Sequence, residues 1–137
     1  MPALTPDQLD NWFTYHAPTE ETAPKYAAIR QVEQDVIVNI TQTSYEVGSD
    51  SAQLHREINR STRQFAEIID ANAPDSADKS AAIRCVRLAR NLFNEWAVQR
   101  ALPKDKQSWS DVSTLFAQAE QELLRARFQA NSAIACG

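Results

Sequence analysis

Three short blocks carry the residue types from which a phosphate-bearing ligand could be held. Tyr15-His16-Ala17-Pro18-Thr19 puts an aromatic ring, an imidazole and a hydroxyl into one turn, and Lys25-Tyr26-Ala27-Ala28-Ile29-Arg30 follows with two cations. The third block, Ala73-Pro74-Asp75-Ser76-Ala77-Asp78-Lys79-Ser80-Ala81-Ala82-Ile83-Arg84, brings the hydroxyls of Ser76 and Ser80 together with Lys79 and Arg84 at a proline-led helix start. First turns of helices expose unpaired backbone N–H groups at the positive end of the helix dipole, so anions are favoured there. The chemistry this suggests is recognition of a small phosphate ester, with an aromatic face for a base and cations and hydroxyls for phosphate oxygens.

Each candidate also has a plainer reading. Tyr15 can stack on a purine face, which contributes about 1–3 kcal/mol per base, or it can simply plug a helix junction. Lys25 and Arg30 are five residues apart, about 500° of helix, and so diverge by roughly 140° and cannot meet one phosphate from the same face. Arg30 borders the apolar stripe, where it can point into a pocket or a subunit contact and donate its planar fork; Lys25 is expected on the solvated surface. Arg84, Arg87 and Arg90 step by three and form a drifting basic ridge, fit to hold a compact polyanion or to lie solvated. Asp75, Ser76 and Asp78 resemble a helix cap. The two aspartates would oppose an anion there, so Lys79 or Arg84 must dominate locally if one binds.

Catalytic constellations are thin. His16 and His55 are isolated, no zinc-type spacing occurs, and no serine sits in a nucleophile elbow. Glu67-Ile68-Ile69-Asp70 is an ExxD pair of the kind that all-helical nucleotide pyrophosphatases use for magnesium, but it needs a second acidic cluster, for which Glu33-Gln34-Asp35 is a weak candidate. A metal-dependent hydrolase is therefore the second reading and a non-catalytic helical adaptor the third.

The elements that must position these residues are helices. The 137 residues suffice for one domain with one core, and two glycines, Gly48 and Gly137, leave little material for tight hairpins or phosphate loops. A net charge of −4 disfavours a broad surface for long nucleic acids, which requires distributed Lys and Arg. Cys85 and Cys136 form neither a metal spacing nor a disulfide framework. No apolar run is long enough for a membrane span, and Met1-Pro2-Ala3-Leu4-Thr5-Pro6 lacks the layout of a signal peptide, so the expected compartment is a reducing cytosol.

Thr5-Pro6-Asp7 reads as the start of a short helix carrying Leu9, Trp12 and Phe13 and ending near Tyr15. Apolar spacing then predicts a long helix from Pro24 to Val47, a third from Leu54 to before Pro74, a fourth from Asp75 or Ser76 through Trp96, and a fifth, capped by Ser108 or Ser110, through Phe128. The expectation is an all-α hairpin or bundle of about five helices, four of them long. A faint echo links Ala89-Arg90 and Asn94 with Ala126-Arg127 and Asn131, which a duplicated unit or chance in Ala/Arg-rich helices would equally produce.

The three blocks, with the terminal Arg127-Phe128-Gln129-Ala130-Asn131-Ser132-Ala133-Ile134-Ala135, resemble the hairpin-domain family of phage anti-CBASS and anti-Thoeris proteins. The resemblance covers under half the chain. It implies a non-enzymatic, cofactor-free sponge that sequesters a cyclic dinucleotide, cyclic trinucleotide or cyclic ADP-ribose isomer in the host cytoplasm, assembled as a homo-oligomer, commonly a hexamer. Tyr15 and Arg30 match the family's base-stacking and phosphate positions, with His16, Thr19, Lys25 and Tyr26 around them. Ser76, Lys79, Ser80 and Arg84 are the local matches to a second, trinucleotide pocket. Two extra stretches, within 32–72 and 98–124, depart from compact members and could reshape or block a pocket. Four long amphipathic helices are also expected to present more apolar face than one small bundle uses, which favours self-association.

Overall fold

Four side chains fix where four of the helices begin. Thr5 accepts a hydrogen bond from the backbone N–H of Gln8, Asp50 from Ala52, Ser76 from Lys79 and Ser108 from Asp111, each satisfying a donor that the first turn leaves unpaired. The remaining start is set by a reciprocal pair, in which Thr19 Oγ1 accepts from the Thr22 N–H (3.1 Å) and Thr22 Oγ1 from the Thr19 N–H (2.8 Å). The computed structural model describes residues 3–137, without the side chains of residues 109 and 110. Met1 and Pro2 of the leader reading and the alternative cap Ser110 therefore lie outside the described residues.

The helices are α1 (Pro6–Trp12), α2 (Ala23–Val47), α3 (Ser51–Asn72), α4 (Ala77–Arg100) and α5 (Trp109–Cys136). The protein is all-α, and no strand occurs among the described residues. Two boundaries differ from the sequence expectation. α1 stops at Trp12, because the N–H groups of Tyr15 (3.2 Å) and His16 (3.1 Å) both turn back to the Trp12 carbonyl. α5 continues past Phe128 to Cys136, since Ala126, Ala130, Ala133 and Ile134 keep a buried stripe going.

α2 packs on α3, α3 on α4, α4 on α5, and α5 closes back on α2. Short connections make the successive helices antiparallel, which gives an up-and-down four-helix bundle. Ile29, Val36 and Ile40 of α2 meet Ile58, Phe65 and Ile69 of α3, Val86 and Phe93 of α4 and Leu123 of α5 in one continuous core. Fully burying such a side chain stabilises the fold by about 1.5–3 kcal/mol.

The two ends of the bundle differ. One joins the start of α2, the end of α3, the start of α4 and the end of α5, and α1 closes beside it, with Trp12 and Phe13 against Tyr26. Leu9 of α1 is fully buried, and Gln121, midway along α5, exchanges two hydrogen bonds with the backbone of Leu4 (2.6 and 2.8 Å). The other end holds Phe93, Trp96 and Phe116 edge to face, with Arg100 over Trp96 and donating to the carbonyls of Ser44 (2.8 Å) and Gly48 (2.7 Å). Gly48 turns the chain there with φ 58°, a conformation a Cβ would strain.

Of the apolar side chains on the four long helices most turn inward, while Ile37, Ile68, Leu92, Leu115 and Phe116 are only partly buried. The helices' stripes face one another. The large apolar side chains left exposed on the helices are Val38 and Tyr45 on α2 and Leu88 and Val98 on α4, separated by polar turns. None of the described helices is long and apolar enough to cross a membrane.

Candidate functional site

The segments that carried the family resemblance gather at the α1 end of the bundle. Residues 15–30 supply the α1–α2 turn and the start of α2, residues 73–84 the α3–α4 turn, and residues 127–135 the end of α5. Lys25, Pro74 and Ile134, one from each segment, line a single cleft of about 360 Å³. Of the extra stretches, the part around Ser51, which donates to the Ala97 carbonyl at 3.4 Å, lies at the far end, while Gln34 lines a pocket and Ala71 and Asn72 the cleft at the α1 end.

A larger open pocket of about 550 Å³ lies between α2 and α5 at the same end, lined by Phe13, Pro18, Tyr26, Arg30, Arg127 and Asn131 among others. Its aromatic wall has a local cause. α1 ends at Trp12 against the start of α2, so Trp12, Phe13 and Tyr26 meet edge to face with centroids 5.0–5.9 Å apart. Tyr26 is buried, and burial pushes its phenol above the ordinary pKa. The plug at this junction is thus Phe13 and Tyr26, not Tyr15.

Tyr15 itself is 86% exposed, the most open large side chain of the chain's described part, and it projects from the turn. His16 stacks flat on Trp12 (4.2 Å, 9°), with Nδ1 3.2 Å from the Trp12 carbonyl. Thr19 spends its hydroxyl on the start of α2, as described above. Arg30 stands exposed on the pocket rim and makes no hydrogen bond or ion-pair contact among the described residues, whereas Lys25 faces the separate cleft beside Pro74. The divergence of the two cations follows the helical angle. Lys25, however, is half-buried in that cleft, which corrects its reading as a solvated surface residue.

At the floor of the larger pocket Arg127 and Glu33 form a buried ion pair, Nε to Oε2 2.6 Å, each side chain 6% exposed. The Nε–H is not directed along the contact, so the attraction is ionic rather than a linear hydrogen bond. Burial raises the Glu33 pKa to about 6 although Arg127 and Arg30 both favour its charge, and burial lowers that of Arg127. Desolvation outweighs pairing on both partners. Beside them Asn131 is fully buried, and its Oδ1 has no partner. The pocket thus combines an exposed cation at the rim, a buried ion pair below it, and a buried acceptor without a partner.

The second candidate cluster is differently placed. Ser76 caps α4, its Oγ accepting from the Lys79 N–H (3.1 Å) and donating to the Pro74 carbonyl (3.2 Å). The Lys79 stem is buried while its ammonium donates to the Asp70 carbonyl and pairs with the Asp70 and Asp75 carboxylates, all at 3.0 Å. Those contacts raise its pKa and occupy its donors, so Lys79 does not dominate the aspartates there. Ser80 and Arg84 are exposed.

Glu33, the core of the proposed second acidic cluster, is turned to Arg127. Among the described residues no group of three or more His, Cys, Asp or Glu side chains could hold a metal ion. Sequence reasoning missed Arg127 and Asn131 as pocket residues. The available signal was their spacing of four beside the buried alanines of α5, which puts both on one edge of the stripe. Comparisons of the chain with family models, curated proteins and solved structures gave no match.

Proposed function

We propose that this chain binds a cyclic oligonucleotide or cyclic ADP-ribose-type signal and holds it intact, lowering its free concentration as a phage immune-evasion protein. One observation carries the reading. Residues 97 to 105 positions apart, Arg30 and Tyr26 on α2 and Arg127 and Asn131 on α5, converge on one open pocket, whose lining includes Phe13 and Pro18 from either side of the exposed Tyr15. They belong to the segments that resemble the sponge family.

Chemically, the Arg30 fork suits a phosphodiester, and the Phe13–Tyr26 wall suits a ribose or base edge. Tyr15 reaches a base only if the ligand or a second protomer covers it, which is where the oligomer of the family reading enters. No enzymatic step is part of the proposal.

The test is to incubate the protein with cyclic di- and trinucleotides and cyclic ADP-ribose isomers, denature it by heat and analyse what is released. Unchanged ligand is expected; a converted product, or nothing retained across the panel, rejects the reading. Titration calorimetry should then show Tyr15→Ala and Arg30→Ala each weakening binding by about 1–3 kcal/mol. Light scattering over a dilution series is expected to show a multimer. A strict monomer that still needs Tyr15 would remove the second protomer from the site.

A further inference from the structure

On the opposite flank of the bundle, α3 and α4 enclose an open groove of about 510 Å³ whose lining carries three guanidinium groups and no carboxylate. Arg63 comes from α3 and Arg87 and Arg90 from α4. All three are exposed, and none has a hydrogen bond or ion pair among the described residues. In a chain of net charge −4 this is an unusual concentration of unspent positive charge. Of the carboxylates on α3, Glu57 pairs with Arg60 and Asp70 with Lys79, while Glu67, one turn beyond Arg63, is exposed, makes no ion pair with it and does not line the groove.

The floor of the groove is apolar, formed by Ala66, Ile83 and Val86. Its end is polar and held in place. Asn59 Oδ1 accepts from Asn94 Nδ2 (3.0 Å), and Asn94 Oδ1 lies 2.7 Å from His55 Nδ1. With its oxygen so used, Asn59 presents its own amide N–H groups as donors.

We infer that this groove is a second binding site, independent of the α2–α5 pocket, for a nucleoside polyphosphate. Charge selects the class. Each phosphodiester of a cyclic oligonucleotide carries a single negative charge, whereas contiguous terminal phosphates match three arginines sharing one groove, each able to donate a bidentate pair. The volume falls within the range of small-molecule sites and is too short for a long polyanion. The apolar floor gives a sugar or base a surface that inorganic phosphate would not use, and Asn59 supplies donors.

Equilibrium titration of the full chain with ATP, AMP, inorganic triphosphate, cyclic di-adenylate and an acidic glutamate peptide tests this. ATP is expected to bind at least tenfold tighter than AMP or triphosphate, with affinity falling steeply as salt is raised. Arg87→Gln/Arg90→Gln and Arg63→Gln should each weaken ATP at least tenfold, while Arg30→Ala leaves it unchanged. The altered side chains are exposed, and circular dichroism confirms that the variants fold. The inference is overturned if the wild type does not bind ATP, if triphosphate or the acidic peptide binds as well as ATP, or if ATP binding survives the double variant. A failure of cyclic di-adenylate to bind bears only on the α2–α5 pocket.

Discussion

The two grooves of the bundle are built from the same pair of residue types and differ in where the counter-charge sits. In the α2–α5 pocket Arg127 is buried against Glu33 and Asn131 is sealed in without a partner for its oxygen; in the α3–α4 groove Arg90 is exposed with no carboxylate, and Asn94 is tied to His55 and Asn59. A guanidinium withdrawn from water must bring a carboxylate with it, and the pair then has little charge left for a ligand. An exposed guanidinium keeps its hydration and can exchange it for phosphate. The echoing Arg and Asn of α4 and α5 therefore do different work: scaffold in one groove, available charge in the other.

The largest effect should follow from breaking the scaffold pair. Arg127→Met leaves Glu33 buried without its cation and is expected to cost about 3–5 kcal/mol of stability, whereas Arg127→Met with Glu33→Leu removes both charges and should recover most of that. Arg90→Gln should change stability by less than about 0.5 kcal/mol. Urea denaturation of the set is the measurement. Similar costs for Arg127→Met and Arg90→Gln would erase the distinction between the grooves.

The same contrast should appear in pH dependence. Glu33 has a folded pKa of about 6, above the ordinary 4.5, because burial penalises its charge more than Arg127 and Arg30 relieve it. With a raised carboxyl pKa the folded chain holds a proton that the unfolded chain releases. The stabilising contribution is therefore full below about pH 4.5 and is lost as pH rises through about 6. The shift corresponds to about 2 kcal/mol. Glu33→Gln should flatten the melting temperature between these limits, leaving the smaller slope of Glu120, whose pKa burial also raises. Arg90→Gln should leave the slope as in the wild type; a wild-type slope in Glu33→Gln would show that the buried carboxyl does not titrate there.

How much of this was legible in the sequence follows from the range of the forces involved. Caps act over three residues, so Thr5, Ser76 and Ser108 marked helix starts correctly, and the apolar spacing of α2 to α4 placed the core. The divergence of Lys25 and Arg30 is helix geometry and was also legible. What spacing could not give was pairing across the bundle. Lys79 looks like a phosphate ligand until Asp70, nine residues away on another helix, takes its charge, and Glu33 looks like half a metal site until α5 brings Arg127 to it. The apolar spacing likewise says which side of each helix is buried but not which helix covers it, and the closure of α5 onto α2 completes the ring.

The smallest effect concerns the two asparagines and sharpens the comparison most finely. Asn94 exchanges hydrogen bonds with His55 (2.7 Å) and Asn59 (3.0 Å), so Asn94→Leu strips a partner from the half-buried His55 and another from the exposed Asn59, and should cost about 1 kcal/mol. Asn131 is fully buried with its Oδ1 unpartnered, so Asn131→Leu replaces an unsatisfied acceptor by a carbon of similar volume. Nothing polar is stranded by that change, and stability should stay within about 0.5 kcal/mol of the wild type. Chemical denaturation resolves the order of the two variants. If Asn131→Leu proved the costlier, the Asn131 oxygen would have a partner in solution, and the contrast between a sealed, unsatisfied asparagine and a hydrogen-bonded one would have to be given up.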